Sequence, residues 1–296
     1  MLVKGNLEPT ALSNSESPHA HVHRVTVPPP GVLNPNILEV YGLCNQSEVG
    51  HAIETADLTI GTRNLLSGLL LHGGIALFPG SPGSVPGYDV GLDYNYVFKY
   101  SYDIQHARAA VVELANVMKG IAVARGITST KVGVLAPEHS AIKFATLVGS
   151  QFAEAYVHSV KKNGSALGEF AVDIDSYTAG RTDTLSLDKT TIELIEKTGQ
   201  INLFLADDII DTGAMTTAIW YLLELARRQG FCVNLIGVVS PLEKMYTGAR
   251  TTIAQALGSV PVHSVLAIED IGIKPHPWIK VAGMNEAIPC RLTDLR

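Results

Sequence analysis

The chain has 296 residues, 46% hydrophobic and 17% charged, with 27 Gly, 15 Pro and a formal net charge of -6. That composition supports one large or two modest packed domains and excludes a disordered or fibrous chain. A weak negative charge argues against general nucleic-acid binding, which needs a basic face, although local backbone amides still allow an anionic ligand. Cys44, Cys232 and Cys290 are scattered and form no C-x-x-C pair. Neither a disulfide framework nor a structural zinc site is expected, and a cytoplasmic setting fits. No apolar run reaches the roughly 18 residues of a membrane span, and the N-terminal stretch lacks the apolar segment of a secretory signal.

Residues 1–36 are rich in Pro, Ser and Asn and read as an extended arm. His19, His21 and His23 alternate within it, but without an acidic or Cys partner they read as scattered imidazoles rather than as a metal site. Residues 37–75 have helical apolar spacing, most clearly in LTIGTRNLLSGLLLHG. FPGSPGSVPGYD, 78–89, is a Gly- and Pro-rich loop and an internal boundary. From there the expected order is an aromatic strand or hairpin at 94–104, a helix at 106–126, a strand at 131–137 and a helix at 140–156. A strand at 168–177, a polar loop TAGRTDTLSLDK and a strand at 201–207 follow. The chain continues with a helix at 214–230, a strand at 232–240, a helix over RTTIAQALG and a strand at 260–270. Strands alternating with helices imply an α/β fold, a parallel twisted sheet with helices on both faces. The expected organisation is an arm at 1–36, a mostly helical hood at 37–93, a core at 94–273 and a C-terminal extension at 274–296.

The chemistry concentrates in LFLADDIIDTGAMTTA, 203–218. An apolar strand runs straight into Asp207 and Asp208; Asp211, Thr212 and Gly213 precede the next helix. Carboxylates crowded at a strand end repel one another and are costly to bury without compensation. The turn lies at the carboxyl end of a sheet strand, where open α/β sheets bind ligands. It also opens a helix, whose free N–H groups favour an anion. The two halves together suit a sugar phosphate: the acids accept from hydroxyls or hold Mg2+, and the turn grips phosphate. Ordinary N-capping would account for Asp211, but Asp207 and Asp208 come a turn too early for it.

Two acids, two apolar residues and Asp-Thr-Gly resemble the phosphoribosyl-pyrophosphate motif of type I phosphoribosyltransferases. The resemblance implies ribose contacts from Asp207 and Asp208, and a phosphate loop of Asp211, Thr212, Gly213, Ala214, Met215 and Thr216. Members commonly carry Thr where this chain has Met215. The likeness spans roughly 95–270 and implies a pyrophosphate loop at Pro137, Glu138, His139, Ser140 and Ala141, here without the usual glycines. It also implies a mobile lid at 175–189 with Ser176, Tyr177 and Arg181, Arg181 meeting pyrophosphate charge. Ser176-Tyr177 and the Asp-Thr-Gly form resemble the hypoxanthine and guanine enzymes, in which the acid at Asp211 is a candidate general base. YSYDIQHARAAVVELANVM and the Pro-Glu-x-x-x-Ile-x-x-Ala-Thr pattern at 137–146 resemble the orotate enzymes instead. There Lys99 would contact the base, while Lys161 and Lys162 come too early for the usual lid lysines.

The resemblance implies Mg2+-dependent transfer of phosphoribosyl from phosphoribosyl pyrophosphate to a nucleobase, orotate slightly favoured, by a homodimer without nucleic-acid or membrane partners. A non-catalytic binder of the same ligand or of a nucleotide is the second expectation. A ribose-phosphate diphosphokinase shares the acidic stretch but needs a duplicate ATP-binding domain not visible here.

Overall fold

The structure is a computed structural model, and it describes residues 46–71, 76–79, 90–93, 104–152, 155–163, 168–176, 181–272 and 278–292. The arm, the three alternating histidines, most of the Gly/Pro-rich loop and the aromatic stretch at 94–103 lie outside these residues, with Lys99 and Tyr177. In chain order the elements are α1 Gln46–Thr55, α2 Ile60–Leu71, β1 Ala76–Pro79, β2 Val90–Asp93, α3 Ile104–Ala124, β3 Val132–Pro137 and α4 Ser140–Gly149. Then come β4 Val157–Lys162, β5 Phe170–Ser176, β6 Arg181–Leu187, α5 Lys189–Thr198, β7 Asn202–Ala206 and α6 Ala214–Arg228. The last are β8 Asn234–Lys244, α7 Ala249–Leu257, β9 Val262–Gly272, β10 Trp278–Val281, β11 Ile288–Pro289 and β12 Arg291–Leu292.

Nine strands form one sheet in the order β11-β10-β9-β8-β7-β3-β4-β6-β5, and β12-β1-β2 form a smaller one. The five central strands β4, β3, β7, β8 and β9 are mutually parallel. Antiparallel pairs extend the sheet at both edges, β6 and β5 beyond β4, β10 and β11 beyond β9. β3 and β7 are buried on both faces, as their unbroken apolar runs require in a parallel sheet. Val134, Ala136, Phe204 and Ala206 enter the cluster covered by α1, α2, α3 and α4. Leu135, Leu203 and Leu205 enter the opposite cluster, covered by α5, α6 and α7. The α/β architecture with helices on both faces is therefore present, as a mixed rather than wholly parallel sheet. Within the region expected as a hood, α2 buries Leu65, Leu66 and Leu69 in the first cluster, and Thr62 Oγ1 donates to the Val265 carbonyl at 2.7 Å.

Numbered among themselves, the five parallel strands have the spatial order 2-1-3-4-5. The winding reverses between β3 and β7, so their carboxyl ends diverge into a crevice, the usual ligand position of a doubly wound sheet. Register places Leu135 beside Leu205, and two residues on come Pro137 and Asp207.

The structure corrects the expected elements at several points. The TAGRTDTLSLDK segment holds strand β6, running Arg181–Leu187, rather than a loop. It reads as polar because one of its buried positions is Asp183, which accepts from Asn163 Nδ2 at 2.6 Å and pairs with Lys162 at 2.8 Å. β4 and the amphipathic α5, with Ile192 and Ile195 buried, were not among the expected elements. The helix from 140 stops at Gly149, where a Cβ would sit 2.9 Å from Val157 on β4. β8 runs through Pro241 to Lys244. β7 ends opposite Val239, so no β7 partner remains to accept from an amide at 241, and proline costs no ladder bond there. No helix among the described residues is long and apolar enough to cross a membrane.

Candidate functional site

The crevice at the switch point brings together the end of β7 and the end of β3. Asp207 and Asp208 are each 5% exposed. The Asp207 amide donates to the Val239 carbonyl at 3.1 Å, and the Asp208 amide donates to Asp207 Oδ1 at 2.9 Å. Burial, then the neighbouring Asp208 charge and carboxyl, pushes the Asp207 carboxyl well above the usual carboxylate range. Among the described residues no Lys, Arg or His pairs with either acid. Among the described residues the crowding seen in the sequence thus meets no cationic partner.

Two buried carboxylates of this kind fit a divalent cation or a row of hydroxyl donors. No group of three or more His, Cys, Asp or Glu that could hold a metal occurs among the described residues. Mg2+ suits a two-carboxylate site, because it commonly takes one or two carboxylates and completes its shell with water and substrate phosphates.

The turn that follows is shaped for an anion. Gly213 is the N-cap of α6 with φ +81, and no side chain caps the helix. The Ala214 amide reaches Thr212 Oγ1 at 3.4 Å, whereas the Met215 and Thr216 amides have no acceptor among the described residues. Unused first-turn amides and the helix dipole make such a turn an anion cradle. Glycine is required at 213 twice over. Its φ is left-handed, and a Cβ would lie 2.9 Å from the Ala249 carbonyl and 3.0 Å from Ile253. Met215 packs its side chain on the apolar cluster beneath α6, so this departure removes one hydroxyl and leaves the backbone cradle whole. Thr216 is buried.

Asp211 Oδ2 pairs with Lys244 Nζ at 2.7 Å, and Asp211 Oδ1 is buried with no hydrogen-bond partner among the described residues. Thr247 Oγ1 donates to the carbonyls of Asp211 and Lys244. Lys244 was not anticipated, nor was Glu243, which is fully buried beside it. The signal was present: in VVSPLEK, charges follow buried strand residues directly, as in LFLADD. Lys244→Met should lower the unfolding free energy by about 1–3 kcal/mol in urea titration. Adding Asp211→Asn should recover part of that loss, since no half-buried carboxylate would then be orphaned.

The second loop expected at the site follows β3. Pro137 and Ala141 are buried, Glu138 and Ser140 half-buried, and His139 is exposed at the start of α4. The Glu138–His139 peptide is cis. The Glu138 amide donates to the Val160 carbonyl at 2.9 Å, and no side chain caps α4. This loop and Asp207–Thr216 therefore end on adjacent strands of one sheet edge.

Of the residues expected in a lid, Ser176 and Arg181 lie on the antiparallel pair β5–β6. Ser176 and Arg181 are register partners at the ends of β5 and β6. β6 leaves β4 at Lys162, which faces Leu185. Arg181 through Thr184 therefore run on past the carboxyl edge of the parallel sheet, about 13 Å at strand rise. The hairpin projects at the same edge as the crevice.

No protein-family model matches the chain, and no curated protein matches it. Among solved structures the chain is similar to adenine phosphoribosyltransferases. That of Thermoanaerobacter pseudethanolicus is 18% identical, with 66% of this chain and 95% of that chain covered and a TM-score of 0.45. That of Saccharomyces cerevisiae, complexed with an imino-altritol bisphosphate and adenine, is 16% identical over 70% of this chain and 98% of that chain, with a TM-score of 0.47. That of Trypanosoma brucei, in complex with AMP, pyrophosphate and ribose-5-phosphate, is 14% identical over 71% and 80%, with a TM-score of 0.41. No residue role follows from likenesses at this level.

Proposed function

We propose that this protein transfers a 5-phosphoribosyl group from phosphoribosyl pyrophosphate to a nucleobase nitrogen, releasing pyrophosphate. One observation carries the assignment: two buried acids with no cationic partner among the described residues stand shortly before an uncapped helix N-terminus at the sheet's switch point. A phosphorylated ribose presents both the hydroxyls and the phosphate that such a pair of features can bind.

Asp207 and Asp208 accept from the ribose hydroxyls, and the amides of the 212–216 turn hold the 5′-phosphate. The base nitrogen attacks C1 of the ribose with its lone pair while the C1–O bond to pyrophosphate breaks, and that oxygen leaves with the bonding electrons. Positive charge gathers on the sugar in between. Asp211 Oδ1, buried and without a partner among the described residues, is the proposed acceptor for the proton released from the base nitrogen. Asp207 and Asp208 would hold Mg2+, which supplies positive charge to the departing pyrophosphate. The Pro137–Ala141 loop supports the pyrophosphate. The β5–β6 hairpin, with Ser176, Tyr177 and Arg181, covers the reacting centre and excludes water. Lys99, outside the described residues, is the proposed base contact; orotate is the acceptor favoured by the sequence layout, with hypoxanthine and guanine as alternatives. A cytoplasmic homodimer is the proposed setting.

A pyrophosphate-release assay with Mg2+, phosphoribosyl pyrophosphate and separate additions of orotate, hypoxanthine, guanine and adenine tests this. Release with one base and not the others is expected. No release with any base, alongside calorimetric binding of phosphoribosyl pyrophosphate, would select the non-catalytic binder, a reading that the Met215 substitution and the missing glycines at 137–141 favour.

A further inference from the structure

We infer that Glu243 and Arg250 are positioning residues that set the height and pitch of the 211–216 turn against the sheet. The role rests on the phosphate-binding function proposed above for that turn. Glu243 is fully buried near the end of β8, and its carboxylate takes Arg250 as a fork: Nε to Oε1 at 2.7 Å and Nη2 to Oε2 at 2.8 Å. Ser264 on β9 also donates to Oε2. A carboxylate buried this completely is tolerated only with such compensation. Three elements, β8, β9 and the first turn of α7, are thereby tied at one point.

Two positions of the 207–216 segment, Ile210 and Gly213, rest on elements joined at that point. On one side Glu243 bridges Ile210 in parallel register; the Ile210 amide donates to Leu242 O and the Lys244 amide to Ile210 O, both at 2.9 Å. Ile210 lies between the Asp207–Asp208 pair and Asp211. On the other side, Arg250 belongs to the same helical turn as Ala249, whose carbonyl faces Gly213 too closely for any Cβ. The α7 wall that Arg250 holds in place is therefore the surface on which the Gly213 turn rests. If α7 moved away from β8, that support would be withdrawn. The Ile210 clasp and the Gly213 wall would loosen together, because both depend on the one ion pair.

An alternative is that the pair serves only to anchor α7. The two roles separate in amide hydrogen exchange on the ligand-free full-length protein. Arg250→Met alone orphans a buried carboxylate and can unfold the chain, so the variant to use is Glu243→Gln with Arg250→Met, compared with Arg250→Lys and wild type. The expected result is about tenfold faster exchange at the Ile210 and Thr217 amides in the double variant, with β3 and α3 unchanged and Arg250→Lys in between. Unchanged exchange at Ile210 and Thr217, or equal acceleration in β3 and α3, would overturn the inference. In turnover, the KM for phosphoribosyl pyrophosphate should rise about tenfold with kcat within about threefold; a fall in kcat at constant KM would also overturn it. A wild type without turnover refutes the proposed reaction and leaves the exchange result to decide the positioning role.

Discussion

Replacing Asp207 by Asn should make the ligand-free protein more stable and inactive at once. At neutral pH the melting temperature should rise by about 2–8 °C, corresponding to roughly 1–2 kcal/mol for a chain of this size. The reason is the unpaired burial of two acids in contact. The folded-state pKa of Asp207 lies above its unfolded value, which is near 4. Between those values the folded protein holds a proton that the unfolded chain has released. Stability therefore falls as pH rises from about 4 toward the folded-state value, and is lost to that extent above it. Asn carries no such proton and keeps an Oδ1 for the Asp208 amide. The gain in the variant should vanish near pH 4 and grow with pH, which a series of thermal scans would show. A variant no more stable than wild type at pH 7 would mean that Asp207 is compensated in the free protein. The same substitution removes an acceptor from the proposed ribose site, and kcat/KM should fall on the order of 100- to 1000-fold. A site residue whose removal stabilises the fold is what a binding group held against its solvation preference predicts.

Gly213→Ala should destabilise the protein and impair its activity together. Two costs combine: a left-handed φ of +81 and a Cβ placed 2.9 Å from a backbone carbonyl that cannot rotate away. Together they should remove about 2–4 kcal/mol of stability. They should also lift the turn off α7, with a loss in kcat/KM on the order of 100-fold. Gly248 provides the internal comparison. It has φ +76 and nothing within 4 Å of its hypothetical Cβ, so Gly248→Ala carries the conformational cost alone, about 1–2 kcal/mol. Urea titrations of the two variants side by side would separate strain from close approach. Equal losses would show that the α7 contact contributes nothing.

Both substitutions act on residues that stand out in the chain before any fold is known. Asp207, Asp208 and Gly213 break the local pattern: charges directly behind an apolar strand, and glycine where a helix should begin. Such local contradictions survive translation into three dimensions because their cause is local, a strand end meeting a helix start. Strands β3, β7 and β9 and helices α3 and α6 were readable for the same reason, since apolar period and terminal glycines report burial within one element. The departures lie where burial and polarity part company. β6 was mistaken for a loop because Asp183 occupies an inward position, acceptable only once Lys162 and Asn163, some twenty residues earlier in sequence, supply its partners. Pro241 seemed to end a strand that in fact continues, because its neighbour on β7 has already stopped.

The chemistry proposed for the site is thus legible in one sixteen-residue segment, through adjacent residues that only make sense together. What surrounds that segment could not be. The reversal of winding that sets Pro137 beside Asp207, the Lys244 partner of Asp211, and the Glu243–Arg250 fork join residues tens of positions apart. No periodicity or local spacing encodes such pairings; they arise when strands from distant parts of the chain enter one sheet and their ends share an edge.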